Sequence, residues 1–208
     1  PTIETFKVSE SKRSILEYYK NNCIAFFIPA AFTALSILEK ETFQFVSSDL
    51  RGGYSFLQEF FKNEFALDID KTPEYFIRKN IKIFIDDEII IPHSTKPDAY
   101  NLTSAGLKKL KLFSGILKTY FESYWIVLNF FIRFPNKSIS KKDRLKKIQA
   151  RGNRMYKRDE TELREALSKI NYENAVDYFT SHNITSSDDE KEIEIYSRHI
   201  QNYLTLLK

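Results

Sequence analysis

Residues 16–31, LEYYKNNCIAFFIPAA, join an aromatic, polar block to a run almost greasy enough for a lipid bilayer. Whether that run spans a membrane or lies inside a protein decides the fold. It extends from Cys23 to Leu38 and is interrupted by Pro29, Thr33 and Ser36. A spanning helix needs about 20 apolar residues, so the run is short for that role. It reads as two buried helical segments meeting at Pro29. The first is capped by Ser9 or Ser11 and runs through Asn22; the second runs from Pro29 to about Glu39.

The rest of the chain agrees with a helical interior. Its 208 residues are 42% hydrophobic, enough for the core of one domain or two small ones. Eighteen Phe and 12 Tyr stand against 5 Gly and 6 Pro, so there are few tight turns and many large side chains to pack. The single cysteine, Cys23, excludes an internal disulfide and points to a reducing compartment and away from a cysteine-based metal site. Pro1 opens the chain without an initiator Met or a signal-type segment, which reads as a piece of something longer.

Outward from the opening run, residues 41–53 read as a loop ending at Gly52-Gly53. Phe56, Leu57, Phe60, Phe61 and Phe65 then recur at helical spacing. Thr72-Pro73-Glu74 starts a helix to about Asp86, with Thr72 as cap. EIIIPHSTKPDAYNLT carries the strand signal: a β-branched run from Ile89 to Ile91, a turn with two prolines, and a return from Ala99 to Thr103. A long helix from about Ser104 to Phe134 follows, and its segment YWIVLNFFI is apolar on every side, which marks it as central. Ser140 with Asp143 opens a basic helix to about Lys157. Two more helices are expected near 171–182 and from Ser187 to Leu206. The predicted fold is therefore mainly α: a multi-helix domain with one small winged-helix-like β-hairpin at about residues 88–103. A subdivision into a helical core with hairpin, 1–136, and a basic helix with acidic tail, 137–208, is suggested by composition.

Charge is unevenly placed. Residues 101–158 hold 15 Lys+Arg against 2 acids, whereas 159–208 hold 11 acids against 5 bases. Such a basic block implies an anionic partner: nucleic acid, a lipid surface, or the chain's own acidic tail. Projected on a helix, Arg144, Lys147, Arg151, Arg154 and Arg158 form one stripe beside an apolar stripe of Leu145, Ile148, Gly152, Met155 and Tyr156. That stripe is the candidate anionic-lipid surface; a helix that buries its apolar side and leaves its charges solvated is the commoner outcome.

Catalytic signals are weak. His93 and Asp98 have the spacing of an acyltransferase dyad, in which a carboxylate orients an imidazole that deprotonates a hydroxyl. They sit in a proline-flanked turn with no phosphate-binding motif after them, so a solvated turn is expected. His182 and His199 lack the paired acids of a metal site and suit surface or helix-end roles. Glu122, inside YFESYW, is expected at a polar edge or paired with Lys118 one turn back, although apolar neighbours would hold it protonated. No catalytic, cofactor-binding or metal-binding residue is assigned. The hairpin followed by YNLTSAG, beside the basic block, also fits a winged-helix nucleic-acid-binding module. Against it, the preceding helix offers Arg78, Lys79 and Lys82 but no array for reading base edges.

Several blocks, in order, resemble the membrane-associated glycerol-3-phosphate acyltransferases. KRSILEYYKNNCIAFFIPAAFTALSIL (Lys12 to Leu38) is similar to the segment that follows the family's acyltransferase domain. FLQEFFKNEF (Phe56 to Phe65), YNLTSAG (Tyr100 to Gly106), YFESYWIVL (Tyr120 to Leu128) and GNRMYKRDETELREALSKINYENAV (Gly152 to Val176) are similar to later blocks. The family's working blocks, an N-H-x-x-x-x-D dyad and an F-x-E-G-x-R-S-R phosphate-binding block among them, lie upstream of this region. FPNKS (Phe134 to Ser138) lacks the Glu, Gly and Arg of the second, and the turn at His93 lacks the preceding Asn of the first.

The resemblance implies a non-catalytic C-terminal helical module. Its parent would transfer an acyl chain, from acyl-CoA or acyl carrier protein, to the 1-position of glycerol 3-phosphate in phospholipid biosynthesis. The implied partners are the parent's own acyltransferase domain and an anionic membrane surface, with no specific nucleic acid. The implied location is the cytoplasmic face of a membrane, with peripheral attachment.

Overall fold

A computed structural model describes residues 9–68, 70–134, 139–184 and 190–208, with side chains in the first helix described from Cys23 onward. The apolar run does not break at Pro29. Helix α1 is continuous over Glu10–Leu38, 29 residues and about 43 Å long at 1.5 Å per residue. The proline removes the N–H that the carbonyl of Ala25 would accept. Ala25 is exposed, so water can serve that carbonyl and the helix continues. Past the proline the surroundings change, and every residue from Ala31 to Leu38 is buried. Thr33 Oγ1 donates to the carbonyl of Pro29 (2.8 Å) and accepts from Asn80 Nδ2 (3.0 Å), so the polar breaks in the run are satisfied inside the core.

The expected loop at 41–53 is mostly ordered structure. Strand β1 (Gln44–Val46) pairs with a strand over fifty residues away, a short 3-10 turn covers Ser47–Asp49, and α2 (Leu50–Phe60) runs through both glycines. A Cβ at Gly53 would press on the side chains of Ser36 and Glu39, so the residue that reads as a loop-former is a close approach between α1 and α2. The helix stops at Phe60, earlier than the run of phenylalanines suggests, though Phe61 and Phe65 are still buried by the turn that follows.

Helix α3 (Pro73–Asp86) starts as predicted, with Thr72 Oγ1 accepting from the N–H of Tyr75. Strands β2 (Ile90–Pro92) and β3 (Ala99–Leu102) form the predicted hairpin. With β1 added, the antiparallel sheet has the order β1-β3-β2. The succession α1, β1, α2, α3, β2, β3 is that of a winged helix. The hairpin therefore belongs to a larger unit than its own residues suggest.

The single long helix expected over 104–134 is two. Helix α4 (Ser104–Gly115) ends where Ser114 Oγ donates back to Leu110 O (2.8 Å), and α5 (Lys118–Arg133) starts after a buried Leu117. The break at Gly115 lets α4 lie along α1 while α5 packs against α6, α7 and α8. Helix α5 is surrounded as its composition requires.

Helix α6 (Lys141–Lys157) has the predicted start: Ser140 Oγ accepts from Asp143 N (3.1 Å) and donates to Asp143 Oδ2 (2.7 Å). Helix α7 spans Lys169–Ser181 and α8 spans Glu190–Leu206; the expected start of α8 at Ser187 lies outside the described residues. Phe60 joins α2 to α5 and α7, with its ring centroid 4.9 Å from those of Phe61 and Tyr124 and 5.1 Å from that of Tyr178. One buried cluster runs from α1 through α8.

Gly106 tests how closely hairpin and helix are joined. Thr103 Oγ1 caps α4 by accepting from Gly106 N (2.8 Å), and a Cβ at Gly106 would collide with the backbone carbonyl of Ile89. Gly52 has nothing within 4 Å of its would-be Cβ. Gly106→Ala is expected to lower stability by about 2–4 kcal/mol because a backbone must move. Gly52→Ala is expected to raise it by about 0.5–1 kcal/mol through helix propensity. Chemical denaturation of the two variants measures both signs.

Candidate functional site

The basic helix is the first candidate, and its five-residue stripe is not a single surface. Lys147, Arg154 and Arg158 are exposed, and Arg144 is half-buried with its guanidinium 6.0 Å from the ring centroid of Phe131. Arg151 is turned inward and is only 5% exposed. Its Nε and Nη2 donate to Asn129 Oδ1 on α5 at 3.0 and 2.8 Å, and Glu160 Oε2 lies 3.5 Å away. Including Arg151 in the lipid-facing stripe is therefore corrected: it ties α6 to α5. The signal was present in the sequence, since Arg151 lies three residues after Ile148 and four before Met155, both buried. The apolar stripe of Leu145, Ile148, Gly152 and Met155 is in the core, so what α6 shows to solvent is charge.

Glu122 is the second candidate, and the expectation of a polar edge or a Lys118 pair is also corrected. Its carboxylate is 2% exposed. Oε1 accepts from the N–H of Glu162 (3.0 Å) and Oε2 from that of Leu163 (2.9 Å), so one side chain holds the segment after α6 against α5. Lys118 pairs with Glu162 instead. Burial pushes the Glu122 carboxyl up, and the two backbone donors pull it part of the way back. Beside it opens a groove of about 310 Å³ between α5, the 159–162 segment and the end of α8, with Trp125, Thr161, Gln201 and Lys208 on its walls. Its charged lining is mixed, with Lys118 and Lys208 beside Glu122, Asp159, Glu160 and Glu162, and Lys118 is already paired with Glu162.

His93 and Asp98 are not joined by a hydrogen bond or ion pair. His93 Nδ1 accepts from the backbone N–H groups of Thr95 and Lys96, both at 3.2 Å, and so closes its own turn. Asp98 is at φ 55°, a left-handed position at the turn's end. His182 stacks on Tyr178 (4.2 Å) at the end of α7, and His199 stacks on Phe56 (4.8 Å). Among the described residues no three His, Cys, Asp or Glu side chains are grouped to hold a metal ion. Among the same residues, no helix is long and apolar enough to cross a membrane.

One polar group escaped the sequence reading. Glu64, in the turn after α2, accepts at Oε2 from Asn174 Nδ2 on α7 (3.0 Å), while Asn63 Nδ2 donates to Asn174 O (3.3 Å). The clue was its position three residues beyond Phe61, on the side of the chain that packs. Burial raises its carboxyl to about 7, against the opposing hydrogen bond from Asn174.

The folded chain is thus mainly helical, with a small antiparallel sheet and a basic face on α6; Glu122 and Glu64 tie neighbouring elements together, and His93 closes its own turn. Residues 1–188 match the glycerol-3-phosphate acyltransferase C-terminal region, and the chain belongs to that family. No curated protein matches the sequence.

The position of Glu64 fixes the sign of a pH effect. Its folded value lies above its ordinary one, so the folded state holds the proton more tightly and is favoured at low pH. Stability from this group is full below about 4.5 and is lost as pH rises through about 7. Glu64→Gln keeps an acceptor for Asn174 and removes the titration. Its stability is expected to exceed that of the parent chain by on the order of 1–3 kcal/mol above pH 7 and to vary less between pH 4.5 and 7. Urea unfolding across that range measures the difference.

Proposed function

We propose that this chain is the non-catalytic C-terminal helical module of a glycerol-3-phosphate acyltransferase. In that reading the parent protein transfers an acyl chain, from acyl-CoA or acyl carrier protein, to the 1-hydroxyl of glycerol 3-phosphate. The observation that carries it is the family match across 188 of the 208 residues. The side-chain geometry supports the non-catalytic part. Acyl transfer to a hydroxyl needs a positioned base and an anion cradle brought together around the substrate. His93, the residue with dyad spacing, has its Nδ1 engaged by its own turn. Its partners are the parent's acyltransferase domain and, at the cytoplasmic face of a membrane, an anionic surface attracted by Arg144, Lys147, Arg154 and Arg158. Incubated with acyl-CoA and glycerol 3-phosphate, the 208-residue chain is expected to release no more free CoA than the buffer control. Turnover that His93→Ala abolishes would overturn this reading.

The strand order favours a second reading, a winged-helix nucleic-acid-binding module. Helix α3 turns Arg78, Lys79 and Lys82 outward, but its one amide side chain, Asn80, is buried on Thr33. Cations without base-reading amides give backbone attraction only. Duplex DNA is expected to bind weakly, without sequence preference and with steep salt dependence. A footprint on one sequence that survives high salt would put this reading first.

A further inference from the structure

From Cys23 to Leu38 helix α1 is apolar around its circumference, interrupted only by Thr33 and Ser36, yet only part of that stretch is enclosed. Between Cys23 and Phe27 just Ile24 is buried; Phe26 is 84% exposed and Phe27 52%. A helix with such a sequence is ordinarily covered on all sides. Its closest neighbour is α4, which lies along it. Leu107, near the start of α4, lines an apolar cleft with Ile37 and Leu38 at the end of α1, so α4 runs back along α1 in the opposite sense. Five residues later, about 7 Å further toward the Phe27 end, Leu112 is 77% exposed. Around it α4 carries Lys108, Lys109 and Lys111 and no acidic residue. Lys109 Nζ donates to the carbonyl of Asp87, and Lys108 and Lys111 make no ion pair among the described residues. The cleft has a volume of about 190 Å³; Phe43, 61% exposed, stands on its wall, and Glu41 is the one acid beside it.

We propose that the edge formed by α1 and α4 is the surface that seats this protein on an anionic lipid leaflet. Exposed phenylalanines and a leucine enter the acyl boundary, and the flanking lysines lay their methylene stems along it while their ammonium groups reach phosphate. This deepens the membrane reading above and moves its anchor. Helix α6 has its apolar stripe in the core and attracts lipid by charge alone, whereas α1 and α4 show apolar side chains and charge together. Charge also selects the occupant. A second copy docked on the same edge would bring one lysine cluster against another, with Glu41 at the cleft and Asp87 beside Lys109 to offset only part of that charge. A phosphate surface complements it.

The test is flotation of the 208-residue chain with phosphatidylcholine vesicles, with and without phosphatidylglycerol, at low and high salt. The parent chain is expected to bind the anionic vesicles and to keep a fraction bound at high salt. The variant Phe26→Ser, Phe27→Ser, Leu112→Ser is expected to bind about tenfold more weakly and to lose the salt-resistant fraction. It should melt where the parent does, since all three side chains are exposed. Lys108→Gln with Lys111→Gln is expected to weaken binding at low salt only. The set Arg144→Gln, Lys147→Gln, Arg154→Gln, Arg158→Gln reports on α6 separately: if it binds normally, the α6 face is an ordinary solvated one, and this proposal stands. Vesicle binding that the triple serine variant retains in full overturns the proposal. So does a triple variant whose only change by light scattering is from dimer to monomer.

Discussion

The rest of this fold depends on one helix, α5, most of which has to be kept from water. Helix α5 presents aromatic or aliphatic side chains in nearly every direction, and ten of its 16 residues are buried. Such a helix cannot be a surface helix with one wet face, so the chain has to supply cover on all sides. Helices α6, α7 and α8 form one part of that cover, and Phe60 and Phe61, at the end of α2, close another. The polar residues that α5 does carry are then forced to find partners indoors. Glu122 takes two backbone N–H groups of the segment after α6, and Asn129 takes the guanidinium of Arg151. Each tethers a covering element to the helix it covers. Burial of an unpaired carboxylate or guanidinium would cost far more than these bonds contribute, which makes the pairing specific.

The same logic explains what could be read in advance. Capping residues act over one turn, so Thr72 and Ser140 announced their helices correctly. The β-branched run at Ile89 to Ile91 did the same for the hairpin. What failed depends on distant partners. Strand β1 exists because β3 offers it hydrogen bonds, and its three residues carry only one inward side chain, Phe45. Gly52 and Gly53 read as a loop because the reason Gly53 must be small, the passage of α1, is remote in sequence. The continuity of α1 through Pro29 turns on whether Ala25 is wet, which no local pattern states.

The candidate surface was legible only in outline. Composition placed the cations on α6 correctly, but a helical projection draws its boundary between stripes arbitrarily, and Arg151 fell on the wrong side. The carboxyls were harder. Glu64 and Glu122 look like ordinary polar interruptions of aromatic runs, and their burial follows from where α7 and the segment after α6 happen to cross. The family resemblance, by contrast, rested on ordered blocks along most of the chain, and it is the part of the functional reading that the comparison with known families supports directly.

Helix α1 has one more consequence as a mechanical object. Its last turns are clamped in the bundle from Ala31 to Leu38, while the turns around Cys23 to Phe27 project from it. A continuous helix transmits rotation as well as distance: each residue advances the chain about 1.5 Å and turns it about 100°. Any body joined stiffly to the projecting end is therefore held in a fixed phase relative to α4 and its lysines. One residue more or fewer before Pro29 would swing that body about a quarter turn around the axis. The apolar sequence that first suggested a bilayer thus behaves as an indexing shaft, and its length sets an angle.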